Sequence, residues 1–207
     1  MTRSPLDTIT EDLNWREAEL GSLKLLLSRD DVTEHQKVVL LRASWALLYA
    51  HYEGFSKTSL TVFYDYAKRY VANCGSLPIN TRLFALEKKL RTLRSLSPEP
   101  LLNELENFST IFYASGPIFP EVDTKSNLWP NVLEDLLRDA DISLTSLDLH
   151  RVKISTLVNR RNNIAHGKRD IVAEVSYYRG FESAVYDIMY EMAFKIDERL
   201  NSAPYSQ

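Results

Sequence analysis

An all-α, up-and-down helical bundle is the fold this sequence predicts, on three observations. Apolar residues recur at alternating steps of three and four over long stretches, helix-start signals stand in front of those stretches, and no segment alternates at period two for long. The 207 residues, 44% hydrophobic and 26% charged, have the composition of an ordinary folded chain and can bury a substantial core. A single domain spanning 1–207 is expected.

Ser4-Pro5 with Asp7 supplies an N-cap, a proline in the first turn and an acid beside it, and opens a first helix on the stripe Leu6, Ile9, Leu13, Leu20, Leu23, Leu27. Thr33 with Gln36 is a capping box. It opens a second helix expected to run to about Asn73, whose stripe Val38, Leu41, Trp45, Leu48, Tyr52, Phe55, Ser59, Val62, Tyr66 is the strongest periodic signal in the chain. After the break at Cys74-Gly75-Ser76-Leu77-Pro78, two helices are expected, Thr81 to Leu96 and Pro98 to Tyr113. The stretch from Ala114 to Trp129 holds Gly116, Pro117 and Pro120 without helical periodicity, and reads as an irregular insertion and the most mobile part of the chain. Pro130 opens a helix to about Ala140, Thr145 with Asp148 caps the next, and Asp170 begins the last, on the stripe Tyr178, Phe181, Val185, Ile188, Met192, Ile196.

The charge distribution says more than the net charge of −3. From Arg151 to Arg169 there are six cations (Arg151, Lys153, Arg160, Arg161, Lys168, Arg169) and no acid, so by difference the rest of the chain carries −9. A small basic patch on an acidic body suits a protein that holds a few phosphates at one place. Cys74 is the only cysteine, which excludes an internal disulfide and a cysteine-based zinc site. No apolar run is long enough for a membrane span and Met1 to Asp7 does not look like a signal peptide, so a cytoplasmic location without membrane attachment is expected. Asp139-Ala140-Asp141-Ile142-Ser143 begins like a calcium loop, but Leu144 stands where the turn glycine belongs and His150 where the last glutamate belongs. Neither a phosphate-binding glycine loop, a Gly-x-Ser-x-Gly elbow nor a His-Glu-x-x-His pair occurs, and no metal or cofactor is called for.

The run Asn159-Arg160-Arg161-Asn162-Asn163-Ile164-Ala165-His166-Gly167 carries the chemistry. Arg161 lies on the apolar line Leu147, Ile154, Leu157, Ile164, so it is expected to face other protein and to need an anion or a row of carbonyl oxygens there. Gly167 reads as the left-handed residue that ends a helix, which leaves the His166 imidazole accessible at its mouth. Histidine is the side chain suited to exchanging protons near neutral pH. A metal-free route to RNA cleavage needs these groups: a base for the 2′-OH, an acid for the 5′ leaving oxygen and a cation for the phosphorane. His166 is the candidate base or acid, or, read as a lone histidine, a helix C-cap bonding a terminal carbonyl; Arg161 is the charge stabiliser, and Asn162 a group that orients phosphate or imidazole. Arg160, Lys168, Arg169 and Tyr177 are candidate RNA-binding residues, Tyr177 by stacking. Glu53 is either a surface acid paired with Lys57 or, preferred here, the anion for Arg161. His51 and Tyr49 are weaker candidates, and His35 and His150 read as structural or surface residues.

Arg161-Asn162 followed by His166 resembles the Arg-(polar)-x-x-x-His signature of the HEPN superfamily, all-helical domains of prokaryotic toxins, abortive-infection proteins and RNA-processing enzymes. The stretch Leu48-Tyr49-Ala50-His51-Tyr52-Glu53-Gly54-Phe55-Ser56-Lys57 is similar to the YxxxEGF-K helix of one stand-alone prokaryotic branch, and Asn127-Leu128-Trp129 and the closing helix fit the same branch. The resemblance implies a bundle of HEPN type and a homodimer whose two motifs meet and cleave RNA. It also implies a toxin–antitoxin or phage-defence setting with a cognate antitoxin or second component. The alternative it leaves open is a non-catalytic module that binds nucleotide or RNA, or serves as a dimerisation partner.

Overall fold

The computed structural model describes residues 4–169 and 174–206. Helix α1, Pro5–Leu27, starts on the expected capping box, with the Ser4 hydroxyl accepting from the Asp7 amide at 3.1 Å. Ile9, Leu13, Leu20 and Leu27 are buried as the stripe requires, whereas Leu6 is exposed and Leu23 half-buried. Helix α2, Glu34–Tyr70, opens on the Thr33 and Gln36 box. It ends before the expected Asn73, because the Asn73 side chain caps a following 3-10 turn, Cys74–Ser76, by accepting from the Ser76 amide at 3.0 Å.

The expected helix from Thr81 to Leu96 is two short ones, α3 (Ile79–Ala85) and α4 (Glu87–Leu93). Leu86 leaves helical geometry between them, at φ −96° and ψ 1°, and its side chain is buried there. The break thus falls on a leucine whose side chain is buried. Pro98 opens α5, Pro98–Glu106, but the helix stops short of Tyr113. Residues Ser109–Tyr113 form a wider π turn in which both Phe112 and Tyr113 meet the Phe108 ring, at centroid distances of 5.2 and 5.3 Å. An i to i+5 pitch makes the second of those contacts possible.

The stretch between Ala114 and Trp129 has no helix, as expected, yet it is anchored. Val122 and Leu128 are buried, and Lys57 of α2 pairs with Glu121 at 2.9 Å. Helix α6, Pro130–Asp139, follows directly, then α7, Thr145–Ala165, and α8, Val175–Leu200. The expected cap of α7 by Thr145 and Asp148 does not form. Asp148 bonds Arg151 instead, and the carboxylate of Glu191, from α8, accepts from the Thr145 amide at 2.9 Å and the Ser146 amide at 2.7 Å. The start of the last helix at Asp170 lies outside the described residues.

Four helices make the bundle: α2 packs on α1, α7 and α8, and α8 also on α7 and α1, while α6 rests on α3 and α7. A helix enclosed on several sides buries more than one stripe. Tyr49, His51, Ser56, Leu60, Phe63 and Tyr64 are accordingly buried alongside the expected line of α2. The stripe of α8, Tyr178 through Ile196, is buried throughout. No strand occurs among the described residues, and none of their helices is long and apolar enough to cross a membrane.

Candidate active site

Helix α7 ends as its glycine requires. His166 is the last, half-in residue, and Gly167 takes φ +75°. The Gly167 amide then donates to the Ile164 carbonyl at 3.0 Å and the Lys168 amide to the Asn163 carbonyl at 2.9 Å, the two bonds of a Schellman ending. The turn satisfies the terminal carbonyls with backbone, so the His166 side chain is not needed as a cap. It is exposed and makes no hydrogen bond or ion pair to a described residue.

Five residues before it, the half-buried Arg161 faces protein as its place on the stripe demands, though not toward the expected partner. Its Nη1 donates to Asn127 Oδ1 at 3.1 Å and to Asn162 Oδ1 at 3.0 Å, and its guanidinium lies 4.7 Å above the ring of Tyr49 on α2. The ion pair expected between Glu53 and Arg161 does not form within 4 Å: carboxamide oxygens and an aromatic face take the place of a carboxylate. Glu53 is half-buried one turn along α2, beside the Tyr49 phenol. Burial pushes that phenol up to about 12; the Leu128 amide, donating to its oxygen at 2.8 Å, works against the rise and the Glu53 carboxylate adds to it. Lys57 turns to Glu121, so the Glu53–Lys57 alternative does not form a close pair either.

The chemistry open to Arg161 follows from which donors are taken. Both Nη1 hydrogens have acceptors, whereas Nε and Nη2 donate to no described residue. That edge presents two parallel N–H groups, the geometry that matches two oxygens of a phosphate. Asn162 spends its oxygen on Arg161, and its Nδ2 donates to no described residue.

The candidate RNA-binding residues divide. Arg160 is held inside the protomer, its guanidinium 4.9 Å from the Trp45 ring and 5.2 Å from the Tyr177 ring, with Nη2 donating to the Tyr177 hydroxyl at 3.3 Å. Tyr177 thereby lies against Arg160 with part of its ring exposed. Lys168 and Arg169 are exposed, and the Lys168 carbonyl accepts from Arg42 Nη1 at 2.7 Å, which ties the residues after the motif to α2. Arg151 is also engaged, by Glu134 and Asp148. The basic patch is therefore smaller than its sequence count.

Two features were missed in the sequence. Asn127 stood in a segment noted only for its resemblance, and no local pattern reveals that its side chain meets Arg161. Arg16 could have been found: it fills the step between Leu13 and Leu20 on the stripe of α1, as Arg161 does on α7. It is 6% exposed, bound by Asp12 at 2.7 and 3.1 Å, with Nη1 3.4 Å from Nδ1 of the buried His51. Nε2 of His51 lies 2.9 Å from Glu19, and burial, ahead of these charges, holds the imidazole below its ordinary value. Gly54 makes room for the arrangement, since a Cβ there would stand 2.8 Å from Arg16 Nη1. His150 pairs with Asp187 at 2.7 Å and His35 is exposed, as expected of structural and surface residues.

Comparison with known proteins identifies the family and no more. The family model described as HEPN_MAE_28990-like HEPN matches residues 5–205. Neither a curated protein nor a solved structure matches the chain significantly.

Proposed function

Because the chain belongs to the HEPN_MAE_28990-like HEPN family, a nuclease, RNA-binding or nucleotide-binding class of module, we propose that it is a metal-independent endoribonuclease acting as a homodimer. The observation that carries this reading is the pairing of an exposed His166 with an Arg161 whose Nε–Nη2 edge, like the imidazole, meets no partner among the described residues. His166 takes the proton of the ribose 2′-OH as the 2′-oxygen bonds to phosphorus. Arg161 holds two non-bridging oxygens as charge gathers on them, with Asn162 Nδ2 as a further donor. The bond from phosphorus to the 5′-oxygen then breaks, and that oxygen needs a proton.

One protomer supplies a single imidazole, while this displacement uses a base and an acid. A second copy supplies the acid, His166 of the partner subunit. The face that would bring the two together is legible on α7: Leu149, Val152, Thr156, Asn159, Asn163 and His166 follow one another at steps of three and four. Leu149 and Val152 are 76% and 79% exposed, large values for apolar residues of a long helix. An isologous pairing of this face, crossing near Asn163, would put both His166 side chains over one cleft. Glu53 acts on the site through Tyr49. Lys168, Arg169 and the exposed edge of Tyr177 guide the strand, and Arg160 contributes by holding Tyr177. A single cytoplasmic domain of this kind, in a bacterial toxin–antitoxin or phage-defence system with an antitoxin or second component as its partner, is the setting we assign.

The test is cleavage of single-stranded RNA in EDTA. The wild type is expected to cut, to leave a 2′,3′-cyclic phosphate or its hydrolysis product, and to spare a strand whose scissile ribose is 2′-deoxy. His166→Ala is expected to lose about 10²- to 10⁴-fold in rate with its RNA affinity kept. Equal cleavage by the two proteins, or none by the wild type alongside tight RNA binding, would replace the nuclease with the non-catalytic binding module. Arrest of growth on expression of the wild type but not of His166→Ala supports the toxin setting.

A further inference from the structure

Asn127 belongs to the irregular segment before α6, yet its side chain reaches the signature motif. The chain reaches that position through two consecutive non-glycine residues in the left-handed region, Lys125 at φ 55° and Ser126 at φ 67°. L side chains avoid this region, and such residues persist where their surroundings over-determine them. Here the surroundings are on both sides. Upstream, Asp123 Oδ1 accepts from the Lys125 amide at 2.8 Å and Oδ2 pairs with Lys125 Nζ at 2.7 Å. Downstream, Leu128 is fully buried, its amide donates to the Tyr49 hydroxyl at 2.8 Å, and the Trp129 amide turns back to the Asn127 carbonyl at 2.9 Å.

What the turn delivers is one carboxamide oxygen to one guanidinium nitrogen. The same tyrosine that fixes Leu128 with its hydroxyl lies under Arg161 with its ring. Tyr49 thus sets the height of the guanidinium, and Asn127 with Asn162 sets its rotation by occupying both Nη1 hydrogens. The free edge can then point only one way. An amide suits this task better than an acid: it orients the cation without neutralising the charge that would meet a phosphate.

We infer that Asn127 is a positioning residue that aims the Nε–Nη2 edge of Arg161 at the scissile phosphate, an inference that rests on the nuclease reading above. It touches Arg161 and not the substrate. Two variants separate aim from charge. Asn127→Ala removes the acceptor and lets the guanidinium rotate, so kcat falls about tenfold or more with KM little changed. Asn127→Asp keeps the acceptor and cancels the charge, so KM rises instead. In an Arg161→Ala background Asn127→Ala has no further effect on the residual rate.

The measurement is steady-state cleavage of a fluorescent single-stranded RNA by wild type, both single variants, Arg161→Ala and the Ala–Ala double variant, with thermal melts alongside. A purely structural role would lower the melting temperature of both Asn127 variants without the opposite split of kcat and KM, and overturns the inference. So does an Asn127→Ala protein that cleaves like wild type, or effects of Asn127→Ala and Arg161→Ala that multiply. Should the wild type not cleave while binding RNA, the nuclease reading has failed; the same cycle in affinity for that RNA then decides. Non-additive losses keep Asn127 as the residue that aims Arg161 at a bound phosphate, and additive ones overturn it.

Discussion

Arg16 and Arg161 interrupt apolar stripes in the same way, and the bundle accommodates each with a specific neighbour on α2. For Arg16 the neighbour is a glycine. Substituting Ala at a helical glycine with open space around it stabilises by about 0.5–1 kcal/mol. Gly21 and Gly180, where an added Cβ meets nothing within 4 Å, should follow that rule. At Gly54 the methyl would press on a guanidinium that Asp12 holds in place, and overpacking of about 1–3 kcal/mol should reverse the sign. Urea denaturation of Gly54→Ala beside Gly180→Ala checks this, and a stabilised Gly54→Ala would mean that Arg16 swings aside freely. For Arg161 the neighbour is the Tyr49 ring. Arg161→Ala is expected to lose both RNA affinity and cleavage rate, in contrast to His166→Ala, whose loss is in rate; titration of labelled RNA against each variant distinguishes them.

The start of α7 depends on a residue from another helix. Burial pushes the Glu191 carboxyl up, but donors from Ser146 and Thr145 outweigh it and leave the group below its ordinary value. A carboxylate with a depressed pKa stabilises the fold fully above its unfolded value, near 4.5, and loses that contribution as the pH falls through the folded value. Glu191→Gln should therefore cost about 1 kcal/mol near pH 7 and progressively less as the pH falls below 4.5. Stability curves of the two proteins that stay parallel down to pH 3 would rule this out. The exposed face of α7 carries a separate expectation. Leu149→Glu with Val152→Glu removes no buried contact, so the protomer should keep its stability to within about 0.5 kcal/mol. Sedimentation velocity should nonetheless give a monomer, inactive on RNA. A dimer that survives both charges would move the interface elsewhere on the bundle.

Across the molecule, the proposed function would have a −3 chain meet RNA through few cations. Lys153, Lys168 and Arg169 are exposed, and Arg161 offers one edge, whereas Arg151 and Arg160 are spent within the protomer. Binding of single-stranded RNA should weaken with salt at a log–log slope of about −1 to −3 where one protomer holds the strand and no steeper than about −6 where both do, since each phosphate contributes roughly −0.7. A much steeper slope would indicate a broad basic surface that the fold does not present.

Periodicity and caps determined the bundle, because a stripe at steps of three and four has one helical way to be buried and a capping box is a contact between residues three apart. Ser4–Asp7, Thr33–Gln36 and the Gly167 ending formed as their local spacing requires. The same logic turned Arg161 inward and left His166 at an open helix end. Only the tertiary structure decided what Arg161 meets, since Asn127, Tyr49 and Arg161 come from three separate segments and nothing in the local pattern of any one of them encodes the others. It also decided that Glu191 caps α7 and that Leu86 divides α3 from α4, where a distant carboxylate and a burial site outweighed the local signal. Contacts within one turn of helix are written in neighbouring residues; contacts between helices depend on how the whole chain packs.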